Sequence, residues 1–441
     1  MERRTSASPA RHLIAGASVV CMTLALSMSD GGAAQRGEPG EGTRGQGAGP
    51  AGRGRANYSL SDPAPNDPAL KGAIDMHAHQ DPDSFGPSYG QAARSIDALD
   101  LYARAKASGM RGFIIKGHLD QTAGLAYYMR KLHPDMEIFG GMGSNLTTGT
   151  KVNPWAITHM AEMKGGWGRI VWMPSWDSEN SIHKLPRRPP AYVAVAECKG
   201  LPFWINYPKP CPDGGELLPE VKEAMQIIAK TKTRDSNGDL VLATGHNSPA
   251  EVKLMVKEAV RAGVKHIIIT HPLLDIVDMT PAEIKETVAM GPEIYAEFTS
   301  GFGNPNARPE MVKLYVEGIR AAGVEHAFVS SDTGQINSNW QPDALANCAK
   351  VLRANGFTER ELDLLFKINP AKILGIRPPA GAWAPSCASM IDPPPTMSAA
   401  HTAIFRITAP LAQVRLRLRR RATRDISASP LAAGVRESSP G

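Results

Sequence analysis

Twelve histidines are spread through the 441 residues. Five of them, His77, His79, His118, His246 and His271, stand at or just beyond the end of a short apolar, β-branched run. His77-Ala78-His79 places two imidazoles two residues apart. In an extended strand such residues point the same way, so both can reach one cation at ~2.0–2.1 Å. A lone pair of this kind is weak evidence. Here three further phrases end on ligand-type side chains: Leu242-Ala243-Thr244-Gly245-His246, Ile269-Thr270-His271-Pro272 and Ser330-Ser331-Asp332-Thr333-Gly334. Together they point to a centre of four histidines and one carboxylate around a divalent metal, zinc first, as one ion or two. Manganese and iron also accept this ligand type. A bound zinc ion lowers the pKa of water from 15.7 toward ~7 and polarises an electrophile.

These residues need a scaffold that brings distant strand ends together. The runs Ala73–His77, Gly112–Lys116, Glu137–Gly141, Ile170–Met173, Leu240–Thr244, His266–Thr270, Ile294–Phe298 and Ala327–Ser331 read as strands. Helical stretches alternate with them: Ile96–Ser108, Thr122–His133, Pro154–Met163, Glu220–Lys230, Pro249–Ala262, Pro281–Met290, Pro309–Ala322 and a last one at Pro342–Asn355. Asn153, Ser248 and Thr280 precede first-turn prolines and suit N-caps. Such alternation implies parallel strands with crossover helices. The expected fold is α/β, a (β/α)8 TIM barrel with an insertion after strand 4, between Pro174 and Pro219,. A doubly wound open sheet is the alternative, but the glycine fingerprint it would carry after its first strand is missing. The strand-end histidines then fall on the carboxyl-terminal face, where barrel enzymes place their sites. His266 and His326 open their strands and belong to the opposite, structural face.

The order of HxH on strand 1, His after strand 5, His after strand 6 and Asp after strand 8 resembles the amidohydrolase superfamily over about 71–377. That resemblance implies a metal-dependent hydrolase in which His77, His79, His246 and His271 ligate metal, with Asp332 as ligand and general base. One departure matters. Many binuclear relatives bridge their metals with a carboxylated lysine or a glutamate after strand 4, and Ile170-Val171-Trp172-Met173-Pro174 supplies neither. Lys116, closing strand 2 in Ile114-Ile115-Lys116-Gly117-His118, is the candidate bridge, and some branches take their bridging ligand from that strand. Lys116 binding a substrate anion or pairing with a carboxylate stays open. For His118 the roles of ligand, substrate hydrogen-bonder and loop histidine stay open too. The implied reaction is hydrolysis of an amide, lactone or ester-like bond in a small molecule. Phosphoester or phosphotriester hydrolysis and metal-dependent decarboxylation are the alternatives within enzymes. A barrel that binds metal without turnover is the alternative outside them, and the presence of Asp332 argues against it.

Other residues are expected nearby. Asp75 shares the alternation of His77 and His79, which suggests a partner for an imidazole N–H. Gly143-Ser144-Asn145, Glu297, Trp172, Trp176, Trp204 and Tyr207 could line the pocket, with loop structure and packing as the plain alternatives.

Composition bounds the rest. The net charge is +6; residues 401–441 carry +6 and residues 1–56 carry +3, which leaves −3 for 57–400. The basic balance belongs to the ends and gives no sign of a nucleic-acid groove. Residues 1–34 resemble a secretory signal peptide, with Arg3, Arg4 and Arg11 before the apolar stretch Leu13–Leu26 and Gly31-Gly32-Ala33-Ala34 for cleavage,. The expectation is export, periplasmic or secreted, without stable membrane insertion, against an uncleaved cytoplasmic extension. Residues 35–70 read as a disordered linker and 378–441 as a disordered basic tail. Cys198, Cys211, Cys348 and Cys387 match no zinc spacing, although Cys198 and Cys211 could clip the insertion. The expected partners are a small-molecule substrate and, open at this stage, further copies of the chain.

Overall fold

Apolar runs of three to seven residues form the strands because each is buried on both sides, as parallel strands under covering helices must be. In the computed structural model, which describes residues 59–83, 94–149, 151–184, 206–207, 216–336 and 338–378, eight strands follow in chain order. They are β1 Ile74–Ala78, β2 Gly112–Ile115, β3 Glu137–Gly143, β4 Gly168–Trp172, β5 Val241–Ala243, β6 His266–Ile269, β7 Ile294–Thr299 and β8 Ala327–Ser330. Each pairs in parallel with the next. The sheet order is therefore sequential. The ring closes just beyond β8, where the Asp332 amide donates to the His77 carbonyl at 2.8 Å and the His79 amide to the Thr333 carbonyl at 3.0 Å. This is the (β/α)8 barrel expected from the alternation.

The helices are α1 Ala98–Ala107, α2 Ala123–Leu132, α3 Pro154–Glu162, α4 Pro219–Lys230, α5 Pro249–Ala262, α6 Pro281–Val288, α7 Pro309–Ala322 and α8 Gln341–Ala354. The sequence signals for their starts have the expected chemistry. Asn153 accepts from the amides of Trp155 and Ala156, and Ser248 and Thr280 form reciprocal capping boxes with Glu251 and Glu283,. After α8 the chain runs through a π-helical turn, Leu364–Ile368, into a short helix, Asn369–Ile373. Ala371, Ile373 and Leu374 pack against the barrel interior. That interior is filled by one side chain or two per strand, among them Met76, Ile114, Phe139, Trp172, Tyr295 and Phe328. The residues between them, such as Phe113, Ile138, Val171, Leu242 and Val329, pack outward in the layer under the helices.

Strict alternation breaks once, and the break matters for function. From Asp75 to Ala78 the first strand advances three residues while β2 advances two, from Phe113 to Ile115. A bulge of this kind inserts one residue and reverses the side to which those after it point. Ile74 and Met76 are therefore interior while Ala78 joins the outer layer, and His77 and His79 turn into the barrel mouth.

Between β4 and α4 the described part of the insertion comprises a short helix, Glu179–Lys184, and a two-stranded antiparallel pairing of Asn206–Tyr207 with Glu216–Leu217. Residues 1–58, with the segment read as signal and the start of the linker, and residues 379–441 of the basic tail lie outside the described residues, as do Cys198, Cys211, Cys387 and Trp204. Cys348 is a buried free thiol. Among the described residues no helix is long and apolar enough to cross a membrane.

Candidate metal centre

At the carboxyl-terminal mouth of the barrel, His77 Nε2 lies 3.4 Å and His79 Nε2 3.1 Å from the same Asp332 oxygen, Oδ1. Two side chains from β1 and its extension thus converge on one from the turn after β8. Both histidine side chains are almost fully buried, and Asp332 is 14% exposed, the most open of the three. Burial works against ionisation of Asp332, but the neighbouring imidazoles of His77, His271 and His79 outweigh it and hold its carboxyl well below the usual range. It is a carboxylate at neutral pH.

Glu297, at the interior of β7, accepts from His77 Nδ1 at 3.0 Å and from Ser330 Oγ at 2.6 Å, both on Oε1. Its Oε2 accepts the backbone amide of His271 at 3.2 Å. Burial alone would raise its pKa, but His77, His271 and Ser330 reverse that and keep it ionised. An ionised carboxylate cannot donate, so the proton between the pair sits on His77 Nδ1. Burial disfavours charge on His77, yet Asp332 and Glu297 together raise its pKa. In a neutral ring Nε2 would present a lone pair to the Asp332 oxygen. The site therefore requires a positive charge between them, a proton or a cation.

His246 and His271 stand beside this trio. Their ring centroids are 4.8 Å apart, and His271 lies 5.9 Å from His77. His271 has neither ring nitrogen hydrogen-bonded, and Nδ1 of His246 and of His79 are likewise without hydrogen-bond partners, all of them buried. A buried unsatisfied nitrogen costs about 1–3 kcal/mol. Burial lowers the pKa of both: at His246 the neighbouring His271, Lys116 and His118 add to it, whereas at His271 burial outweighs the opposing Asp332 and Glu297, so both rings are neutral and can offer a lone pair. The residues His271 and Asp332 also hold left-handed backbone, φ 25° and 50°. Such conformations cost on the order of 1–3 kcal/mol each in residues other than glycine and cluster at functional sites. A tetrahedral zinc ion with ~2.0–2.1 Å bonds has ligand-to-ligand edges of ~3.3 Å. The 3.1 and 3.4 Å spacings fit it. Neutral imidazoles with idle nitrogens beside an ionised carboxylate fit a divalent cation.

A second cluster adjoins the first. His118 stacks on His79 with centroids 4.1 Å apart and planes 9° from parallel. Asp83 Oδ2 lies 2.8 Å from His118 Nδ1 and accepts from Arg94 Nη2 at 2.9 Å, while Asp83 Oδ1 accepts the His118 amide. The trio His79, Asp83 and His118 has spacing compatible with a cation, but the Arg94 guanidinium already supplies positive charge there. Lys116 is buried, lies 4.5 Å from the Trp172 ring and donates to the Gly117 carbonyl at 3.2 Å. Burial, only partly offset by Asp83, Asp332 and Glu297, pushes its pKa down to about 8.

Several expectations are altered. Asp75 does not partner an imidazole: its Oδ1 accepts the amides of Ser331 and His77, because the bulge removes it from the inward face. Glu297 takes that role for His77. Asn145 ties loops, accepting from Ser175 and Asp177 and donating to the His118 carbonyl. Ser178 and Asn180, from the insertion, donate to the His246 carbonyl. Asp83 and Arg94 escape a reading based on strand ends. The available signal for Asp83 is a carboxylate four residues beyond His79, whereas Arg94 carries none. His266 and His326 sit at the far end of the barrel, beside Glu293 and the Ile294 carbonyl.

The chain belongs to the family of unknown function DUF6282, whose model matches residues 72–295. That span holds His77, His79, Lys116, His118, His246 and His271 and stops short of Glu297 and Asp332. No curated protein matches the sequence. Among solved structures, the chain is similar to an amidohydrolase from Burkholderia multivorans with bound zinc, at 11% identity and TM-score 0.45, over 69% of this chain and 99% of that one. It is similar to a β-aspartyl dipeptidase from Fervidobacterium islandicum at 13% identity and TM-score 0.42, over 69% and 73%. A 2,6-dihydroxybenzoate decarboxylase from Rhizobium shows 12% identity and TM-score 0.36, over 69% and 99%.

Proposed function

We propose that this protein is a metal-dependent hydrolase that delivers a water to an amide, lactone or ester-like bond of a small molecule. The observation that carries the reading is the buried convergence of His77 and His79 on one Asp332 oxygen, flanked by His246 and His271 with idle nitrogens. His77, His79, His246, His271 and Asp332 would hold the cation, with zinc favoured by the nitrogen-rich donor set. When bound, such an ion supplies Lewis acidity toward water and toward the electrophilic carbon.

The remaining work falls to the protein. Asp332, ionised and the most exposed member of the trio, accepts the proton of the attacking water and passes it to the departing nitrogen or oxygen. His118, oriented by Asp83 and stacked on His79, is placed to hydrogen-bond the substrate. Trp172 and Trp176 supply apolar walls beside the histidines. Lys116, with its pKa near 8, holds a substantial neutral fraction at physiological pH. As the neutral amine it could take up carbon dioxide, releasing a proton, to give a carbamate that would help hold metal; as ammonium it would bind a substrate anion.

The test uses purified protein loaded with zinc, assayed on a panel of lactones, amides, phosphoesters and aromatic carboxylates, with metal content measured per chain. Turnover of a lactone, amide or ester is expected, with Asp332→Asn lowering it by ~10²–10⁴-fold while metal is largely retained. Unchanged turnover in Asp332→Asn removes the base. Two ions per chain that fall to one in Lys116→Ala assign the bridge, whereas one ion in both proteins assigns Lys116 to the substrate. Turnover confined to phosphoesters or to loss of carbon dioxide would replace the proposed bond class.

A further inference from the structure

Glu297 makes three hydrogen bonds, each to a different strand segment. Oε1 receives His77 Nδ1 from β1 at 3.0 Å and Ser330 Oγ from β8 at 2.6 Å, and Oε2 receives the His271 amide beyond β6 at 3.2 Å. The residue itself is 2% exposed. A carboxylate in this place acts on two histidines at once. On His77 it holds the hydrogen at Nδ1, which leaves the Nε2 lone pair facing Asp332. On His271 it anchors the peptide whose backbone stands at φ 25°, in the region that side-chain-bearing residues avoid,. The ring of that residue has no hydrogen bond of its own to orient it. Its orientation depends on where the backbone is pinned.

We infer that Glu297 is the positioning residue of the centre: it selects the Nδ1–H tautomer of His77 and fixes the backbone of His271, so that both imidazoles present nitrogen lone pairs to a common cation. The inference rests on the metal-centre reading proposed above and deepens it, since Glu297 itself need not touch metal or substrate. Its position explains why β7, which contributes no histidine, carries a buried carboxylate in the barrel interior. It also explains the serine at 330, whose hydroxyl donates to the same oxygen and orients the carboxylate from the other side.

Carboxylate partners of metal-ligating histidines typically contribute 10- to 100-fold in affinity. In Glu297→Ala both contacts are lost, so zinc affinity measured by chelator competition should fall by ~10- to 100-fold. In Glu297→Gln an amide oxygen in the place of Oε1 still accepts from His77 and Ser330, while the NH2 in the place of Oε2 cannot accept the His271 amide, so the loss should be intermediate, ~3- to 10-fold,. In histidine-selective 15N spectra of the zinc-loaded protein, the wild type should show a slowly exchanging His77 Nδ1–H. Glu297→Gln should retain that signal and Glu297→Ala should lose it to solvent exchange. Rescue by glutamine separates a hydrogen-bond acceptor from a packing residue, for which alanine and glutamine would both leave the Nδ1–H signal in place. Should alanine prevent folding, the glutamine variant decides alone: wild-type affinity in Glu297→Gln overturns the inference. Wild-type zinc affinity in Glu297→Ala overturns it as well. Failure of the underlying reading looks different, because the wild type would then bind no zinc, or His77→Ala would bind it as tightly as the wild type.

Discussion

Adding zinc to the metal-free protein should raise its melting temperature by about 6 °C, and truncating one histidine that has no hydrogen bonds should shrink that rise without lowering the starting point much. The folded region spans roughly 300 residues, between 59 and 378. At ~2.1 cal/mol/K per residue its unfolding entropy near the midpoint is about 0.6 kcal/mol/K. Zinc at a thousandfold excess over its dissociation constant stabilises the native state by about 4 kcal/mol. The quotient is about 6 °C. His271→Ala is the informative perturbation, because neither ring nitrogen of His271 is hydrogen-bonded although the side chain is buried. Removing the ring leaves a cavity, but it also removes two unsatisfied nitrogens that cost about 1–3 kcal/mol each, so the metal-free variant should melt within a few degrees of the wild type. With zinc at the same concentration, loss of a ligand should cost at least the ~10- to 100-fold that loss of a ligand's hydrogen-bond partner costs. That corresponds to about 1.4–2.7 kcal/mol, or roughly 2–4 °C of the zinc-induced rise. Differential scanning fluorimetry on chelator-treated protein, with and without zinc, reads both effects. A wild type whose melting temperature does not respond to zinc, manganese or iron refutes the argument, as does a His271→Ala variant that responds as strongly as the wild type.

Two further outcomes test how the scaffold carries the centre. Gly245 precedes His246 at φ 69°, and a Cβ there would stand 2.3 Å from the Met173 carbonyl oxygen and 2.5 Å from that of Pro174. Gly245→Ala should therefore destabilise the fold by about 4 kcal/mol or more in urea unfolding, and a loss under 1 kcal/mol would show that the loop yields freely. At the opposite end, burial raises the pKa of Glu293, but His266, Lys372 and Tyr295 outweigh it and bring it from 4.5 to about 2. A depressed carboxylate contributes stability above its unfolded pKa and loses it as pH falls through the folded one. The window here is about pH 4.5 down to 2. The side chain is 34% exposed, so solvent screening reduces the contribution to about 1 kcal/mol. Glu293→Gln should be less stable than the wild type by that amount at pH 6, with the gap narrowing below pH 4.5 and closing toward pH 2,. A gap constant with pH would place the effect in packing.

The number and order of strands, and the residues at their carboxyl ends, were legible in the chain itself. Parallel strands covered on both faces must be short apolar runs, and Asn153, Ser248 and Thr280 announce helix starts through local hydrogen bonds that need no tertiary partner. Strand ends therefore pointed to His77, His79, His246, His271 and Asp332 without knowledge of what lies beside them. The partner of each was not legible. Alternation assigned Asp75 to the face of His77, and a single extra residue between Asp75 and Ala78 reversed it. Glu297 lies 220 residues from the ring it holds, and Arg94 reaches Asp83 and His118 from a loop with no periodicity to betray it. Spacing along one strand is a local property, which sequence determines. Which carboxylate meets which imidazole depends on how the barrel closes, and here the backbone bonds between β1 and the turn after β8 both complete the ring and set the His77–Asp332 distance.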